Sequence, residues 1–139
     1  MLVYADTSAL AKLIVEEPES DALVDWYTEV EAVLVTSDLA RVELMRTVHR
    51  IDPELSVDAH DLLRSCEIIS LDSIDYERAG TLPPAPLRSL DALHLIAAQN
   101  LGDALDAILT YDIRLAEAAA VRGIRPVHPG RERLISPAH

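Results

Sequence analysis

The order of apolar runs along this chain predicts an α/β protein, a doubly wound parallel sheet of about four to five strands with helices on both faces. Three observations carry that expectation. Short runs rich in β-branched residues recur, a polar residue follows most of them, and a stretch with apolar residues at helical spacing comes next.

Leu2 to Ala5 is the first apolar run and stops at Asp6; Thr7 and Ser8 then offer capping hydroxyls to a helix over Ala9 to Val15. Pro18 punctuates, and Ser20 to Val30 places Leu23, Trp26, Tyr27 and Val30 on one helical side. Ala32 to Thr36 reads as the second strand, with Ser37 as N-cap for a helix over Asp38 to Ile51 whose stripe is Leu39, Val42, Met45 and Val48 or His49. Beyond Pro53, Val57 to Ser65 predicts a helix, Glu67 to Leu71 a strand and Ile74 to Gly80 a short helix. Thr81 to Arg88 is a loop, because Pro83, Pro84 and Pro86 remove backbone donors and disfavour helix. Leu90 to Leu101 is a strong helix closed by Gly102, Ala107 to Thr110 a strand, Ile113 to Arg122 a helix ended by Gly123, and Arg125 to Val127 an edge strand.

At 139 residues the chain suits a single domain, here 1–128, followed by a tail over 129–139 expected to be mobile or to contact a partner. Half the residues are hydrophobic and only 4 are Gly, which excludes a disordered or collagen-like chain. No basic segment precedes an apolar stretch at the N-terminus and no run approaches the ~20 residues of a membrane span, so the expected compartment is the cytoplasm. Cys66 has no second cysteine with which to form a disulfide or a thiolate metal site, and reads as a small buried or half-buried residue. The net charge of -12 argues against a simple basic nucleic-acid surface. Acids gathered into one pocket would account for part of it and would attract divalent cations that hold phosphates.

In an open α/β sheet the residues just beyond the strand ends face the ligand crevice. Asp6 and Asp112 stand there, Glu43 lies in the helix after the second strand, and Asp91 opens the helix after the proline loop. Each has a plain structural role available, as cap, dipole partner or solvated residue. Three of them nevertheless sit in apolar surroundings, in Val3-Tyr4-Ala5-Asp6, Val42-Glu43-Leu44-Met45 and Leu90-Asp91-Ala92-Leu93. Carboxylates collected without His or Cys suit Mg²⁺ or Mn²⁺ rather than zinc, and the chemistry that follows is phosphodiester hydrolysis by a metal-activated water. Removing Asp6 or Asp91 is then expected to relieve repulsion and keep or raise stability.

Ala5-Asp6-Thr7-Ser8-Ala9-Leu10, a mid-helix Glu43, the stretch from Leu87 to Ala98 and Leu109-Thr110-Tyr111-Asp112 together resemble the PIN-domain family over nearly the whole chain. Within it, the similarity is to the small VapC-type toxins of toxin-antitoxin pairs. That resemblance implies a PIN-like fold, a Mg²⁺-dependent endoribonuclease acting on RNA, inhibition by a cognate antitoxin and a homodimeric state. It also implies Asp6, Glu43, Asp91 and Asp112 as catalytic and metal-binding acids, with Thr7, Ser8 and Thr110 as supporting hydroxyls. Some members carry a further acid near the fourth; Arg114 stands here, leaving one metal ion or two open.

Arg46, three residues after Glu43, is a candidate substrate contact or a partner for that acid, and His49 and Arg50 continue its side. His94 follows Asp91 by one turn but is flanked by Leu93, Leu95 and Ile96, and reads as a satisfied core histidine. With no Phe and few aromatics, recognition of RNA by shape is preferred to base stacking. Trp26, Leu23 and Val30 read as helix packing. An aspartyl phosphatase would want an acid where Ser8 stands, and a catalytically inactive PIN-like binding domain is the alternative from another functional class.

Overall fold

The computed structural model describes residues 1–84 and 86–132. The strands are β1 (Leu2–Ala5), β2 (Val33–Ser37), β3 (Glu67–Ile69), β4 (Ala107–Leu109) and β5 (Pro126–Val127). The helices are α1 (Thr7–Lys12), α2 (Ser20–Glu29), α3 (Leu39–Ile51), α4 (Ser56–Ser65), α5 (Ser73–Gly80), α6 (Ser89–Asn100) and α7 (Ile113–Val121). Every strand pair is parallel and the sheet order is β3-β2-β1-β4-β5, so the expected doubly wound α/β arrangement is present. The chain moves outward from β1 through β2 to β3, then crosses to the other side of β1 for β4 and β5. The reversal between β1 and β4 opens a crevice at their carboxyl ends, where ligands collect in sheets of this kind.

Period-two alternation sorts each strand between two cores. Val3, Ala5, Leu34, Ala107 and Leu109 pack on one face against Leu10 of α1, Leu23 of α2, Leu44 and Val48 of α3 and Leu63 of α4. Tyr4, Val35 and Ile108 pack on the other against Leu95 and Ala98 of α6 and Leu115 and Ala119 of α7. Small residues in α6 and α7 bring both helices close to the sheet, and on that face the Tyr4 hydroxyl meets Ser37 of β2. Trp26 and Val30 are half-buried against the first core, in keeping with a packing role.

Helix caps are the main local departure from expectation. Asp6, not Thr7 or Ser8, caps α1 by accepting from the Ala9 amide at 3.0 Å, and both hydroxyl residues lie inside the helix. Ser37 does not cap α3: Asp38 holds the N-cap position without a side-chain cap bond, while the Ser37 hydroxyl is taken by Tyr4. Helix α1 ends at Lys12 rather than Val15, because Ser20 Oγ donates to Lys12 O and lies 3.2 Å from Val15 O, drawing the chain into a turn ahead of Pro18.

The chain after β5 is tied down as far as Arg131. Tyr111 donates to Pro129 O at 2.7 Å, and Arg131 pairs with Glu19 at 2.8 Å, which Lys12 also contacts at 3.0 Å. Residues 129–131 of the segment expected to be mobile or to contact a partner thus pack on the domain; 133–139 lie outside the described residues. No helix among the described residues is long and apolar enough to cross a membrane.

Candidate active site

Asp6 follows β1 directly and is 3% exposed, at the crevice between β1 and β4. Its carboxylate is held from three sides: Oδ1 accepts from Ser8 Oγ at 2.7 Å and the Ala9 amide, and Oδ2 accepts from Thr110 Oγ at 2.6 Å. Burial still dominates and raises its proton affinity, against the opposing effects of His94, Thr110 and Ser8. Ser8 and Thr110 each work twice. Ser8 Oγ accepts from the Tyr111 amide at 3.0 Å and Thr110 Oγ from the Asp112 amide at 3.0 Å, so both hydroxyls lock the segment after β4 onto the segment after β1.

Asp112 caps α7 by accepting from the Leu115 amide at 2.9 Å. Glu43, one turn into α3, accepts on the single oxygen Oε1 from Thr7 Oγ at 3.1 Å and from His94 Nε2 at 2.7 Å. Burial pushes the Glu43 carboxyl up, but the His94 hydrogen bond and charge, with Thr7, bring it below its ordinary range. Asp91, in the first turn of α6, is pushed up to about 6 by burial, then by the negative charges of Asp112 and Asp6 and, more weakly, of Glu43, against the opposing charge of His94.

The four acids thus sit on four separate elements and act on one another electrostatically. Among the described residues, no three His, Cys, Asp or Glu side chains close on a single point that would hold a metal ion. Asp6, Glu43 and Asp112 are each braced by hydrogen bonds from their own neighbours.

A model of the PIN domain matches residues 3–121. The chain belongs to the PIN-domain family. Ribonuclease VapC35 of Mycobacterium tuberculosis is 41% identical over 135 residues, spanning 95% of this PIN domain and 100% of that protein. Ribonuclease VapC47 of the same organism is 41% identical over 136 residues, with coverage of 95% and 100%. These relatives make it a VapC-type PIN domain. The crystal structure of M. tuberculosis VapC20, a toxin that cleaves the sarcin-ricin loop, superposes with a TM-score of 0.72 at 17% identity over 84% of this chain and 94% of that one, a likeness in fold.

In this PIN domain the hydroxyls of Thr7, Ser8 and Thr110 bond the acids Glu43 and Asp6, and of the two roles expected for Arg46 the pairing with Glu43 is not made. Arg46 is exposed and makes no ion pair among the described residues, while His94, 2% exposed, is the group bonded to Glu43. The expected core histidine is buried as anticipated and reaches the site as well. The available signal was its spacing: three residues after Asp91 on one helix, it must share that acid's side. Tyr4 and Ser37, which stand behind His94, left no such trace.

Proposed function

We propose that this PIN domain is a metal-dependent endoribonuclease, the toxin of a VapBC-type pair, in which Asp6, Glu43, Asp91 and Asp112 hold Mg²⁺, with Mn²⁺ as a substitute. The observation that carries the reading is the grouping of acids around Asp91: burial first, then the charges of Asp112 and Asp6 and more weakly Glu43, push its carboxyl up to about 6, and a divalent cation among them would relieve the repulsive part. The donor set is all oxygen, which fits a hard cation and disfavours zinc. Bound there, the cation supplies an activated water for in-line attack at phosphorus and positive charge for the departing oxygen.

The chain's own residues do the rest. Thr110 and Ser8 keep Asp6 fixed, and Thr7 keeps Glu43 turned toward α1. Arg46 and Arg50 follow Glu43 by about one and two turns on the exposed side of α3, where guanidinium groups would meet phosphates leading away from the acids. That row offsets the unfavourable overall charge where the substrate passes. The VapC relatives are named ribonucleases, and a solved VapBC2 complex of Rickettsia felis, bound to a promoter DNA fragment, shares the fold at a TM-score of 0.62, 16% identity and coverage of 93% of this chain and 99% of that one. A cognate antitoxin that inserts a basic side chain among the acids would neutralise them and block the cation.

The test is cleavage of total cellular RNA by antitoxin-free protein in Mg²⁺ or Mn²⁺ and in EDTA, with Asp91→Ala alongside. Cuts that require the metal and vanish in the variant are expected. A folded wild-type protein that cuts nothing under any of these conditions would favour a binding-only PIN domain.

A further inference from the structure

His94 is flanked in sequence by apolar residues and is 2% exposed, yet both of its ring nitrogens are engaged. Nε2 lies 2.7 Å from Glu43 Oε1 and Nδ1 lies 2.7 Å from the Tyr4 hydroxyl, which in turn is 3.0 Å from Ser37 Oγ. The Tyr4 ring meets the imidazole edge-on, with centroids 5.8 Å apart and planes at 65°. Tyr4 and Ser37 are fully buried. A line of side chains therefore runs from β2 through β1 and α6 to α3 and ends at one oxygen of one candidate metal-binding acid.

We propose that His94 is a positioning residue that fixes the Glu43 carboxylate in the acid cluster, with Tyr4 and Ser37 fixing the imidazole in turn; the inference rests on the metal-site reading above. The geometry separates this role from simple packing. A histidine that only filled space would not need both ring nitrogens engaged, one of them by a half-buried acid on another helix. Because a carboxylate only accepts, Nε2 must carry the hydrogen of that bond, and the Tyr4 contact holds the ring against a flip that would exchange its nitrogens. Both donors to Glu43, Thr7 and His94, fall on Oε1, which leaves Oε2 available to ligate a cation. Groups that orient a ligand in this way commonly alter metal affinity by about ten- to a hundredfold when removed.

The experiment is calorimetric Mn²⁺ binding to metal-stripped full-length protein, for wild type, His94→Leu, His94→Gln, Tyr4→Phe and Asp91→Asn, with a thermal melt of each. His94→Leu is expected to weaken Mn²⁺ binding about tenfold while melting cooperatively, and His94→Gln, whose amide still donates to Glu43, to recover most of that loss. Tyr4→Phe, which deletes one hydroxyl from the far end of the line, is expected to weaken binding about threefold and serves if the leucine variant does not fold. In RNA cleavage the same order should appear in kcat with KM unchanged. Mn²⁺ affinity in His94→Leu or in Tyr4→Phe equal to wild type, with Asp91→Asn impaired, would overturn the role of His94 alone. No Mn²⁺ binding by wild type, or none lost in Asp91→Asn, would overturn the metal site and the role of His94 with it.

Discussion

Thr110 Oγ donates to Asp6 Oδ2 at 2.6 Å across the β1–β4 edge, the shortest of the bonds that hold this acid. The hydroxyl also accepts from the Asp112 amide, so one side chain sets the spacing of two candidate metal-binding acids. Thr110→Val keeps the shape and removes both bonds at a fully buried position. The variant is expected to lose about 1–3 kcal/mol of stability, measured by urea unfolding, and most of its cleavage activity, whereas Thr110→Ser keeps the larger part of both. A valine variant as active as wild type would show that Asp6 needs no such support.

Asp91 and Asp6 are expected to differ in what their loss does to the fold, contrary to the expectation from sequence that removing either would be neutral or stabilising. Asp6 caps α1 and accepts from the half-buried Ser8 and the buried Thr110, so Asp6→Ala leaves both hydroxyls without their acceptor and should cost about 1–3 kcal/mol. Matched thermal melts of the two metal-free variants check this, Asp6→Ala falling below wild type and Asp91→Asn not.

The pH dependence of the Asp91 effect has a definite sign. Its folded value, about 6, lies above the ordinary 3.8, so the folded state holds its proton more tightly than the unfolded chain. The cost of ionising it is absent below about pH 4, grows across the interval between the two values and is complete above about pH 6. Asp91→Asn removes that cost. Metal-free, the variant should be more stable than wild type by on the order of 1–2 kcal/mol at pH 8, allowing for the partial exposure of the side chain, and should match it below pH 4. A gap that ignores pH, or runs the other way, would contradict the raised proton affinity of Asp91 in the folded state.

Arg46→Ala tests the route of the substrate. If its guanidinium meets an RNA phosphate, KM should rise about tenfold with kcat retained, and the dependence of log KM on log salt should become shallower by about 0.7. An unchanged KM and an unchanged salt slope would remove Arg46 from the substrate path.

Gly130 makes the docked end of the chain testable. It adopts φ +88°, and a Cβ there would stand 3.0 Å from Ala22 Cβ and 3.1 Å from Glu19 Cα, at the acid that pairs with Arg131. Gly130→Ala is therefore expected to destabilise by about 1–3 kcal/mol and to expose the C-terminal segment to limited proteolysis. Wild-type proteolytic resistance would mean that the segment tolerates the shift.

The fold was legible because its signals are local. The strand at Leu2–Ala5 and the helix boundary near Gly80 follow from runs, caps and punctuators a few residues long. The acids and their hydroxyls were legible because each lies just beyond a strand or within a helix aimed at the crevice. The partners of those groups were not. That Ser37 answers Tyr4 instead of capping α3, and that His94 answers Glu43 instead of the apolar core, depends on contacts between residues 33 and 51 positions apart, which no short window carries. The docking of Pro129 and Arg131 was hidden for the same reason, since their partners are Tyr111 and Glu19.

The central claim, that four carboxylates from separate elements hold one catalytic cation site, is tested most directly by anomalous diffraction from crystals of the protein equilibrated with Mn²⁺. The account predicts a peak in the crevice at about 2.0–2.2 Å from carboxylate oxygens of Asp6 and Asp91, with Glu43 and Asp112 around it. A Mn²⁺ peak elsewhere, or none in the crevice at saturating Mn²⁺, would contradict it.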